Sequence, residues 1–137
     1  MSNARIQPAI TALSEPYWEG CREGLLRLQQ CDACGEYQFY PRVLCSHCGH
    51  DVLNWRDVSG RGRIASYTVV PRPLSPAYPS PSIIILVDLD EGPRLMSSLA
   101  GGSVDDLAVG AVVSVDFEAW SEDISMPVFQ LVTEENT

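Results

Sequence analysis

The sequence predicts a mainly β protein with one short N-terminal helix, and three observations carry that prediction. Two Cys-x-x-Cys-Gly turns, Cys31–Gly35 and Cys45–Gly49, lie ten residues apart. From Ile64 to Val132 the chain runs through five apolar or alternating segments punctuated by Gly, Pro and Asp, which reads as strands and turns. Only a short stretch after Ser14 repeats its apolar residues, Trp18, Cys21 and Leu25, at three- and four-residue steps.

The paired turns are the most specific feature. Ten residues between them let two hairpin tips face each other and present Cys31, Cys34, Cys45 and Cys48 as a tetrahedron of thiolates, the set that zinc favours. Glycine after each second cysteine suits the left-handed backbone that wraps a turn around its sulfurs. A rubredoxin-like zinc ribbon follows, with Zn2+ in a structural role: four thiolates fill the shell that a catalytic zinc keeps partly open. The alternatives are two disulfides, iron on the same thiolates, or substitution of one cysteine by His47 or His50, which sit in and beside the second knuckle.

The 137 residues hold one ordinary domain or two small ones. The division expected is a helix and ribbon over 14–58, a barrel over 59–132 and a polar tail over 133–137. Met1–Ala4 reads as an expression remnant. No apolar run approaches the roughly 18 residues of a membrane span. The absence of a basic-then-apolar leader, together with reduced thiolates, leads us to expect a cytoplasmic protein. Charge is uneven. Residues 1–63 balance seven arginines against seven acids, residues 64–137 set two arginines against eleven acids, and lysine is absent. Binding a nucleic-acid backbone calls for a basic stripe, and the C-terminal half has the opposite sign.

Taken in order, Ser14 is expected to cap the helix with Pro16 in its first turn, and Gly20 and Gly24 keep it short. Cys21, the odd cysteine, reads as a small packing residue because no base accompanies it. Leu26 and Leu28 alternate with Arg27 and Gln29 in a strand leading into the first knuckle. Glu36–Tyr40 is the return strand, with Tyr37 and Phe39 on one face, and Leu53, Trp55 and Asp57 mark the ribbon's last strand. Ser59-Gly-Arg-Gly-Arg63 reads as the hinge between the halves. Strands are then expected over Ile64–Val70, Ile83–Val87 and beyond, Arg94–Ala100, Ala111–Trp120 and Pro127–Val132, with a helical turn capped by Ser103. Five strands with that turn between the third and fourth match a small OB-fold barrel. Between the first two lies Pro71–Pro81, with five prolines in eleven residues: a stiff surface loop beside the binding face, or a weak Pro-x-x-Pro ligand.

This order of motifs resembles a known family: two-domain zinc-ribbon/OB-fold proteins, formerly a domain of unknown function, linked to acyl-CoA metabolism. The residues that carry the resemblance are Tyr17-Trp-Glu-Gly20, the run from Leu28-Gln-Gln-Cys31 to Phe39-Tyr-Pro-Arg42, Val58-Ser-Gly-Arg-Gly62, Ser66-Tyr-Thr68, Val87-Asp-Leu-Asp-Glu-Gly92 and the turn containing Gly110. Ser46 stands where proline is common. The resemblance covers about residues 14 to 132 and implies a non-catalytic accessory subunit. Such a subunit accompanies a thiolase-like or hydratase protein and helps shape a site for acyl-CoA thioesters.

The residues agree with that implication. Both histidines belong to the ribbon, and the acid pairs Asp105/Asp106 and Glu122/Asp123 fall in turns, so no catalytic residue is assigned. Arg61, Arg63 and Arg72 are the candidates for coenzyme A phosphates, since guanidinium groups suit phosphate; solvation or pairing with Asp57 is the other reading. Tyr17, Trp18, Leu74 and Tyr78 are candidates for the partner interface or the acyl chain. The alternative function is a nucleic-acid-binding ribbon/OB protein, which rests on fold analogy and is opposed by the charge.

Overall fold

A computed structural model of the chain describes residues 7–72, 75–77, 82–100 and 104–132. Helix α1, Glu15–Arg22, leads into the ribbon strands β1 (Leu26–Cys31), β2 (Tyr37–Gln38) and β3 (Leu53–Val58), ordered β2-β1-β3. The barrel strands are β4 (Arg61–Val70), β5 (Ser82–Leu89), β6 (Arg94–Ser98), β7 (Val112–Ala119) and β8 (Ser125–Leu131), ordered β6-β5-β4-β7-β8, with a 3-10 turn at Val104–Asp106. All the pairings between these strands are antiparallel. A parallel bridge between Leu99 and Phe129 brings the outer strands β6 and β8 together, and Ala100 N–H donates to the Phe129 carbonyl at 2.8 Å. The result is a nearly closed five-stranded OB-fold barrel preceded by a zinc-ribbon module.

The apolar run in β5 shows how the core is filled. Ile85, Val87 and Leu89 point inward and are buried, while the residues between them are partly exposed. They meet Ile64, Leu95, Val113 and Phe129 from the other strands. A register shift between Ile64 and Ser66 bends β4, the strand that must coil to close the barrel. The cluster also takes in Leu26 and Leu28 of β1 and Tyr17, Trp18 and Cys21 of α1, so one continuous core runs from helix and ribbon into the barrel.

Several expectations are corrected. The Ser14 side chain does not cap α1: its Oγ accepts the Thr11 N–H at 3.0 Å, because Thr11 and Ser14 bond each other reciprocally and fix the turn before the helix. The return strand pairs at only two residues, since Phe39 turns aside to pack against Tyr17, ring centres 5.4 Å apart. The segment read as a hinge is a pinned crossing. Only Ser59 and Gly60 lie between β3 and β4, and Ser59 N–H donates to Glu91 at 2.8 Å. Gly60 adopts φ +74° where a side chain would collide with Val115, and a Cβ at Gly62 would run into the Asp88 carbonyl. These glycines serve close backbone approach. Most of the proline-rich loop, the Ser103 cap and the tail from Thr133 lie outside the described residues.

Candidate metal centre

Each ligand turn is built the same way. Cys31 ends β1, and its Sγ accepts the N–H groups of Ala33 and Cys34 at 3.3 and 3.4 Å while Gly35 N–H closes the turn on the Cys31 carbonyl at 3.0 Å. In the second knuckle, His47 N–H donates to the Cys45 Sγ at 3.3 Å and Gly49 N–H to the Cys45 carbonyl at 2.9 Å. Gly35 and Gly49 take φ of +77° and +79°, the left-handed backbone that these turns demand. The two tips then meet. The sulfurs of Cys31 and Cys48 are 3.6 Å apart, those of Cys34 and Cys45 3.7 Å, and all four lie within 4.8 Å of one another.

Sulfurs bound to one zinc at about 2.3 Å stand roughly 3.8 Å apart, so this set fits a tetrahedral zinc. All five cysteines are free thiols, which removes the disulfide alternative. The clustered ligands include no histidine, and the His47 ring nitrogen instead lies 3.3 Å from the Tyr37 carbonyl. Desolvation pushes the Cys45 thiol up, but N–H groups of Cys48 and His47 and contacts with Cys34 and Cys31 outweigh it and bring it down to about 6. Four thiolates saturate a structural site and leave no position for substrate.

The other candidate residues are dispersed. Tyr17 and Trp18 are only 7% and 8% exposed and pack edge-to-face at 4.9 Å, so they anchor α1 to the core and offer little surface. Burial, then neighbouring Cys21, holds the Tyr17 phenol well above its usual range, and burial pushes the Cys21 thiol up to about 12, the opposite of what a nucleophile needs. Arg61 lines an open groove of about 430 Å³ with Ser114, Val115, Asp116, Gln130, Leu131 and Val132. Arg63 donates to the Gly110 carbonyl at 3.0 Å. Arg72 is exposed beyond the far end of β4, away from the other two. Asp57, the acid considered for these arginines, is held by Arg27 at 2.7 Å. Leu74 and Tyr78 lie outside the described residues.

One part of the centre was not legible in the sequence. Gln29 and Gln38, cross-strand neighbours in β1 and β2, are 3% and 4% exposed and hydrogen-bond each other at 2.7 Å. Alternation groups Gln29 with Arg27, opposite the apolar Leu26 and Leu28, and gives no sign of its burial. The register of the hairpin around the first knuckle sets Gln29 opposite Gln38.

A four-thiolate ribbon fused through a common core to a five-stranded barrel defines a class, the zinc-ribbon/OB-fold proteins. Residues 18–53 match the model of the "ChsH2, rubredoxin-like zinc ribbon domain" and residues 55–118 that of the "ChsH2, C-terminal OB-fold domain". The chain belongs to this ChsH2-type, or DUF35, family. It is 32% identical over 126 residues to a probable enoyl-CoA hydratase alpha subunit of Thermomonospora curvata, covering 92% of this chain and 40% of that one. A DUF35 domain-containing scaffold protein of Methanothermobacter thermautotrophicus is 30% identical over 96 residues, 69% of this chain and 72% of the relative. Among solved structures, an Ltp2-ChsH2(DUF35) aldolase superposes with a TM-score of 0.84 at 31% identity, over 93% of this chain and all of that one. The chain thus spans less than half the length of the hydratase subunit it matches.

Proposed function

We propose that this chain is a non-catalytic accessory module that docks on a thiolase-like, aldolase or hydratase partner and helps hold an acyl-CoA thioester there. The observation that carries the reading is the saturated metal centre: its ligand shell has no room for a reacting group, so the zinc shapes a surface. Relatives named as a hydratase subunit and as a scaffold protein, and a similar chain in an aldolase complex, supply the class of partner. Exposed apolar side chains on the ribbon, Tyr40, Val43 and Leu44, are the surface available to a partner, in place of the buried Tyr17 and Trp18.

In this reading Arg61 and Arg63, on the same side of β4, face the phosphates of the thioester and Arg72 stands apart. Calorimetric titration of the partner complex with a coenzyme A thioester tests it. Replacing Arg61 and Arg63 with alanine is expected to weaken binding about tenfold or more, the loss of one to two charge-assisted contacts, with zinc content unchanged. Unaltered affinity removes both residues from the site.

A further inference from the structure

The segment between the knuckles is fastened by side chains that the metal does not touch. Gln38 Oε1 accepts the Ser46 N–H at 2.8 Å, next to ligand Cys45, and its Nε2 donates to Gln29 Oε1 at 2.7 Å and to the Leu44 carbonyl at 3.4 Å. Gln29 Oε1 also accepts the Arg42 N–H at 2.8 Å, and Gln29 Nε2 donates to the Arg42 carbonyl at 2.9 Å. Two buried amides therefore satisfy both backbone groups of Arg42 and one each of Leu44 and Ser46. Burying an amide costs free energy unless its groups are paired, and here the partners are the other glutamine and the backbone of this one segment. Gln29 sits in β1 between Leu28 and Gln30, a strand whose Leu26 and Leu28 are fixed in the core, so the anchor is rigid.

We infer that Gln29 and Gln38 are positioning residues that set the second knuckle at its metal-binding distance from the first before zinc arrives. The first knuckle is the hairpin tip of β1 and β2, held by strand pairing and by one exposed bond from Gln30 Nε2 to the Gly35 carbonyl at 3.1 Å. The second interrupts a long connection to β3, and without an anchor its two cysteines would have to be gathered from a flexible loop. The same anchor fixes the outward presentation of Val43, 73% exposed, and Leu44.

The test has two readouts independent of any enzymatic activity. In zinc-stripped wild-type protein, hydrogen exchange should show the Arg42 and Ser46 amides still protected while the Ala33 and His47 amides, which donate to ligand sulfurs, exchange freely. In zinc-loaded protein, Gln38→Leu and Gln29→Leu should each speed zinc release to a chelator 10- to 100-fold, the usual reach of residues behind metal ligands, and broaden the cobalt-substituted spectrum. Gln38→Glu retains the acceptor for Ser46 N–H and should fall between them and wild type. Unprotected Arg42 and Ser46 amides in the stripped protein would overturn the proposal, because the pair would then follow the metal. Release rates within twofold of wild type in both leucine variants would also overturn it. If Gln38→Leu fails to fold, the wild-type exchange result still decides.

Discussion

Ribbon and barrel are held by different forces. Phe129, Ile85, Val87 and Val113 fill the barrel with side chains that have no measurable exposure, and its strands close through a backbone bridge. The tips of the ribbon bury almost nothing of their own: Ala33, Cys34, Ser46, His47 and Cys48 are exposed, and order comes from sulfur geometry and two glutamines. A small module without enough apolar area substitutes a metal for a core. A barrel with a full core is free to place polar residues such as Arg61 and Asp116 on its surface.

The contrast can be broken at either end. The largest effect is expected from Cys45→Ser. Structural zinc is worth about 10–16 kcal/mol in small zinc-finger peptides, and losing one of four thiolates should leave only a small fraction of wild-type zinc by elemental analysis while the barrel strands keep their circular dichroism. Next comes Phe129→Ala, which should cost about 3–5 kcal/mol in denaturant unfolding through a core cavity, with zinc content unchanged in the folded fraction. The smallest is electrostatic. Hydrogen bonding from Arg94 at 2.7 Å holds the Asp88 carboxyl below its ordinary value and Arg94 above its own. A depressed carboxylate contributes stability that is present above its unfolded pKa and lost as pH falls through its folded one. The difference between wild type and Arg94→Ala should therefore be small near neutrality and vanish in acid, and thermal melts at pH 7 and pH 3 measure it. Both partners are exposed, so a large difference would contradict the placement.

Much of this was legible because the signals are local. Cys-x-x-Cys-Gly dictates its own turn, and alternation in Ala111–Trp120 reports a strand, found as β7, whose Val113, Val115 and Phe117 pack on the core. What stayed hidden depended on distant cover. Gln29 occupies an outward position in β1, and only the 42–46 segment folding over it makes that face interior. Tyr17 and Trp18 lie on a short helix whose cover, Phe39 and the barrel core, is distant in sequence. Arg61, Arg63 and Arg72 are close in sequence, and an extended strand carries the third away from the first two.

The most direct test of this division is hydrogen exchange across the whole chain with zinc bound and after its removal by a chelator. The account predicts that amides at Ala33, Cys34, His47 and Gly49 lose protection on removal, while those of Ile85, Val87 and Phe129 keep theirs. Loss of protection in β5 and β8 together with the knuckles would show that one metal-dependent core holds the whole molecule, and would contradict it.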